Sequence, residues 1–162
     1  MTANGGWLAG SPWSVPVGLA AMLLVGAAIG LVNGLSITLF KMPPFVVTLS
    51  TMTFFGGVAV WVTRSNNINQ LPQQVVTIGK GSIGIIPYAL LLTALLAGVA
   101  HLVLSRTVIG RWLYSVGQNP KAALISGIPV SRTIIFAYVI SGICAACAAV
   151  LLTGRLETAS PI

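Results

Sequence analysis

The chain has 162 residues, of which 56% are hydrophobic and only 6% charged, with a mean hydropathy of +0.99. A soluble domain carries roughly a quarter of its residues as charges, so this composition excludes an ordinary soluble enzyme or binding module and reads as a membrane protein. Eight Lys or Arg against one acid give a net charge of +7, but the cations are scattered between apolar runs, which argues against a nucleic-acid surface.

Crossing about 30 Å of hydrocarbon takes roughly 20 apolar residues. Four uncharged stretches meet that length, residues 16–40, 45–63, 87–105 and 133–153. The expected fold is therefore all-α, a polytopic helical membrane protein with about four membrane-embedded helices and a short helix in the loop 106–132. Lys41 and the loop carrying Arg106, Arg111, Lys121 and Arg132 fall on one side, while Arg64, Lys80 and Arg155 share the other. Positively charged loops stay on the cytoplasmic side, so the loop 106–132 is expected in the cytoplasm. No basic residue precedes Lys41, so no cleaved secretory signal is expected. The first span would enter with its N-terminus outside, an orientation more natural for an internal span, which suggests that a segment is missing upstream.

In chain order, residues 1–15 read as an interfacial lead with Trp7 and Trp13 at headgroup level. The first span carries Gly26, Gly30 and Gly34 at four-residue spacing, leaving one helix face nearly bare so that another helix can approach closely. Met42-Pro43-Pro44 breaks the chain, because proline donates no backbone hydrogen bond and restricts the residue before it. Thr48, Ser50, Thr51 and Thr53 follow at the start of the second span. With Asn33 they are candidates for lining a translocation path, since broken backbone at membrane depth is tolerated only against protein or a water-filled cavity. Hydroxyls bonding back to their own helix account for such residues nearly as often.

Residues 64–85 form the longest polar stretch, expected outside as a loop with a short surface helix. Its GKGS run, 79–82, is no phosphate loop, because Gln74 and Gly81 stand where that motif needs a glycine and a hydroxyl. His101 lies within the third span without an acid in any span to pair with, and is expected as a neutral histidine bonded across helices. Cys144 and Cys147 in the last span read as small packing residues. No disulfide, metal site or cofactor is expected.

Residues 117–128, GQNPKAALISGI, read as a separately capped helix. Asn119 is a favoured N-cap, Pro120 fits the first helical position, and Gly127 suits the left-handed residue beyond the end. Two turns are marginal in water because nucleation costs more than they return, so this helix is expected to be held by docking. Ala122 and Ala123 offer a flat side, Leu124 with Ile128 an apolar ridge, and Trp112 and Tyr114 an interfacial anchor.

RTVIGRWLYSVGQNPKAALISGI, residues 106–128, resembles the cytoplasmic coupling loop of bacterial ATP-binding-cassette (ABC) sugar importer permeases, in the ribose/xylose/galactose branch. GLVNGLSITLFKMPPFVVTLSTMTFFGGVAV, residues 30–60, is similar to that branch's signature region, and residues 130–161 resemble the span after the loop. The resemblance implies a permease subunit that pairs with a second permease in the inner membrane. It would receive a monosaccharide from a periplasmic sugar-binding protein and be driven by a cytoplasmic ABC ATPase that clasps the coupling helix. On this reading Asn119, Pro120, Lys121, Ala122, Ala123 and Gly127 dock the ATPase, no residue is catalytic, and ATP hydrolysis belongs to the partner. The chain departs from the family at Lys121, where an acid is usual, and at Leu124-Ile125, where a basic-apolar pair is commoner. Family members are about twice as long, so the chain is expected to be a central fragment, poorly stable and inactive in transport alone.

Two other readings fare worse. A small four-span proton-coupled exporter wants a carboxylate within the membrane, and the sole acid, Glu157, lies beyond the last span. A membrane-embedded enzyme needs a nucleophile, base and acid together, and the chain has one His, one Glu and no Asp.

Overall fold

The computed structural model describes residues 14–64, 68–69, 81–83, 86–156 and 158–159. Trp7, Trp13, Gln74, Lys80 and Glu157, with most of the 64–85 stretch and the first half of the GKGS run, lie outside the described residues. Among the described residues six helices follow one another: α1 (Ser14–Phe40), α2 (Pro44–Thr63), α3 (Tyr88–Arg106), α4 (Val108–Gln118), α5 (Pro120–Ile125) and α6 (Val130–Leu156). Four of them, α1, α2, α3 and α6, are long and apolar enough to cross a membrane. The protein is thus a helical, multi-pass membrane protein. At 1.5 Å per residue, the 27 residues of α1 and of α6 reach about 40 Å, enough to pass the hydrocarbon and enter the headgroups.

The central contact is an antiparallel pair made by α1 and α6. Gly26 faces Gly142 and Ala146, Gly30 faces Tyr138 and Val139, and Gly34 faces Ile135, so numbering rises along one helix as it falls along the other. A Cβ on Gly26 would sit 2.5 Å from the Gly142 carbonyl oxygen, a distance no real Cβ tolerates. Lipid tails are as apolar as leucine, so close backbone approach supplies the packing that the hydrophobic effect cannot.

Between α1 and α2 the backbone turns at Lys41, which has φ of 52°. Pro43 then caps α2, its carbonyl accepting from Val46 N at 3.1 Å and Val47 N at 3.3 Å. Arg64 closes α2, also in the left-handed region at φ 52°. Both cations stand at helix C-termini, where the helix dipole favours them.

Two short antiparallel pairings complete the described chain. β1 (Ile68–Asn69) pairs with β4 (Thr158–Ala159), and β2 (Ser82–Ile83) with β3 (Ile86–Pro87). The first ties the chain after α2 to the chain after α6 and so places both helix ends on one side. Outward faces are apolar: Trp61 is 80% exposed, Met52 73% and Phe45 72%. That arrangement suits hydrocarbon and is unsustainable in water.

Candidate functional site

The 106–132 segment is more ordered than its sequence suggests. Instead of one short helix it holds two, and α4 is the element that sequence reasoning missed. Thr107 caps it, its hydroxyl accepting from Gly110 N at 3.1 Å. Ile109, Trp112, Leu113 and Val116 recur at the i, i+3, i+4, i+7 positions of a helix face, a signal legible in the sequence. Val116 is buried, Trp112 half-buried and Tyr114 exposed, and α4 packs on α6.

α5 is a knob fastened at both ends. Asn119 Oδ1 accepts from Lys121 N at 3.1 Å and from Ala122 N at 3.2 Å, satisfying two of the orphan donors of the first turn. At the far end Gly127 adopts φ of 79°. Its N–H donates to the Leu124 carbonyl at 3.1 Å and the Ile128 N–H to the Ala123 carbonyl at 3.0 Å. This crossed pair is a Schellman motif, which a side chain at Gly127 would strain. Together the two caps hold a six-residue helix that its length alone would not sustain.

The structure divides the residues assigned to docking. Asn119, Pro120, Lys121, Ala122 and Gly127 are exposed, whereas Ala123 is only 4% exposed and turns inward. Ala123 therefore holds the knob against the protein and is not on its presented face. The ridge also differs from Leu124 with Ile128, because the Schellman turn folds Ile128 back to half-burial. The residues left standing out are Leu124 at 65% and Ile125 at 88% exposure. At the same end of the bundle, where α1 stops and α6 starts, lie Lys41, Arg106, Arg111, Lys121 and Arg132.

The path candidates do not converge on one surface. The hydroxyls of Thr48, Thr51 and Thr53 donate to Pro44, Val47 and Leu49 carbonyls at 3.0, 3.0 and 3.1 Å, so each is satisfied by its own helix. Thr48 and Thr51 share a partly covered side of α2 with Val47, while Ser50 and Thr53 are exposed. Asn33 lies on the α1 face that carries Gly30, Gly34 and Ile37. Its Oδ1 is buried with no hydrogen-bond partner among the described residues. His101 is exposed on α3 and, among the described residues, makes no side-chain bond across helices. Cys144 and Cys147 are free thiols, the former exposed.

The protein family described as branched-chain amino acid transport system / permease component matches residues 1–162. The chain is 33% identical over 147 residues to the D-allose transport system permease protein of Escherichia coli K12, covering 89% of this chain and 45% of that protein. It is 40% identical over 131 residues to the ribose import permease protein of Bacillus subtilis 168, covering 80% and 41%. It is 32% identical over 148 residues to the L-arabinose ABC transporter permease protein of Azospirillum brasilense, covering 91% and 44%. The chain thus spans less than half the length of each of these relatives. No solved structure matches it.

Proposed function

This chain belongs to the family of branched-chain amino acid transport system permease components, and from that membership we propose that it is part of the membrane-spanning permease of an ABC importer for a monosaccharide. The relatives named for D-allose, ribose and L-arabinose support a sugar cargo over an amino acid. Two of them are transport and import permeases, which favours import over a proton-coupled exporter. The partners on this reading are a cytoplasmic ABC ATPase, a periplasmic sugar-binding protein and a second permease subunit, with the inner membrane as the location.

The observation that carries the reading is the knob. A six-residue helix capped at both ends presents Leu124 and Ile125 at the end of the bundle that carries five cations. Positive charge of this density favours the cytoplasmic side. The apolar tip needs a partner outside the lipid, and a motor subunit with an apolar socket rimmed by carboxylates fits both tip and cations. Lys121 supplies a positive charge to that contact. Docking then needs no catalytic group on this side, only a helix stiff enough to be moved as a body.

Single-cysteine labelling tests the orientation. With Cys144 and Cys147 replaced by Ala, a membrane-impermeant maleimide added to intact cells should reach Arg64→Cys and spare Lys121→Cys. The reverse pattern refutes the docking role, since the knob would then face away from any ATPase.

A further inference from the structure

No free loop separates the third span from the knob. Thr107 alone stands between α3 and α4, and Asn119 alone between α4 and α5. Both are side-chain caps, but Thr107 serves two helices at once. Its hydroxyl donates to the Val103 carbonyl at 2.6 Å and accepts from Gly110 N at 3.1 Å. One oxygen therefore closes the last turn of α3 and the first turn of α4. Thr107 N adds a second bond to Val103 O at 3.2 Å.

Gly110 shuts the same elbow from the other side. It is buried, and a Cβ there would strike the Leu104 carbonyl oxygen and lie 2.6 Å from Leu104 Cα. Backbone lies against backbone with no side chain to yield, so α4 cannot swing toward α3 and its caps resist swinging away. The two spans that flank the docking segment are unequally free. α6 is locked to α1 along the glycine seam, whereas among the described residues α3 has no buried residue and touches mainly α4 and β3, with α4 itself packed on both α3 and α6.

We propose that Thr107 and Gly110 are positioning residues that make the α3–α4 elbow a stiff joint, so that movement of the docked knob is delivered to α3 while the α1–α6 pair stays fixed. The inference rests on the docking reading but gives these residues a separate role. Docking residues decide whether the motor binds, and elbow residues decide whether binding moves a span. A lever needs both, since a displaced knob on a slack joint would rotate without dragging the membrane helix.

The test uses the permease polypeptide that carries this sequence, assembled in vesicles with its ATPase. Thr107→Val keeps the shape and removes the hydroxyl; Thr107→Ser keeps the hydroxyl. ATPase co-purification and sugar taken up per ATP hydrolysed are read side by side. Thr107→Val should keep co-purification within about twofold while uptake per ATP falls by about tenfold, within the range of ordinary coupling energies. Thr107→Ser should restore coupling. Gly110→Ala, which must open the elbow, should give the same split. Spin labels at Val99 on α3 and Ile140 on α6, both on exposed positions, should change separation with ATP in the parent and not in Thr107→Val. Full coupling in Thr107→Val overturns the elbow, as does a loss of co-purification confined to that variant, which would make Thr107 part of the dock. Absence of ATPase binding by the parent itself would instead sink the docking reading.

Discussion

The same substitution, Gly→Ala, should have opposite effects at two sets of positions in this protein. At Gly26 the added Cβ would stand 2.5 Å from the Gly142 carbonyl oxygen, where ordinary contact begins at 3.4 Å, so α1 and α6 must part by about 0.9 Å. At Gly34 the shortfall against Ile135 Cα, at 2.8 Å, is about 0.6 Å. Gaps of roughly 0.5–1 Å forfeit a quarter to a half of each dispersion well along a seam, and overpacking costs typically about 1–3 kcal/mol. At Gly98 on α3 nothing lies within 4 Å of the would-be Cβ. There Ala should gain up to about 1 kcal/mol through the entropy that glycine gives up in a helix. Thermal unfolding in detergent, followed by reactivity of the partly covered Cys147 in a Cys144→Ala background, should show Gly26→Ala and Gly34→Ala melting below the parent and Gly98→Ala at or above it. Equal shifts at all three sites would refute the seam, because a general intolerance of α1 and α3 to alanine would then explain everything.

Two further outcomes bear on the knob. Asn119→Ala deprives Lys121 N and Ala122 N of their acceptor, at about 1 kcal/mol, so ATPase affinity measured by titration should fall roughly fivefold, and Asn119→Asp should recover most of it. Gly127→Val forces a β-branched residue to φ of 79° and should abolish ATPase co-purification without reducing the amount of permease in the membrane fraction; undiminished co-purification removes the Schellman turn from the docking assignment.

The four spans are plain in the sequence because hydrocarbon imposes a length and an absence of charge that few other constraints imitate. Their ends are less so. α6 runs three residues further at each end than the uncharged stretch 133–153, since Arg132 and Arg155 belong to the helix and their long side chains reach the headgroups from within it. α4 is hard to read for a different reason. Gly110, Ser115 and Gly117 lower its intrinsic helix propensity, while the apolar stripe through Trp112 and Val116 outweighs them once α6 is there to receive it. The inward turn of Ala123 could not be read at all: Ala122 and Ala123 are chemically identical, and only the packing of α5 against α4 and α6 decides which one is covered.

The hydroxyls of α2 mark the limit of reading a path from composition. A threonine in a membrane helix satisfies itself at i−4, as Thr48, Thr51 and Thr53 do, so its presence says nothing about what passes beside it. A buried amide has no such recourse. Asn33 Oδ1 is buried without a partner among the described residues, at a depth where an unmet acceptor costs several kcal/mol in hydrocarbon. Among the five path candidates the three threonines spend their hydroxyls within their own helix and Ser50 is exposed, so Asn33 is the candidate that is both covered and without a partner among the described residues. Its place in the glycine seam, beside Gly34, ties any donor that comes to it to the same close contact that holds α1 and α6 together.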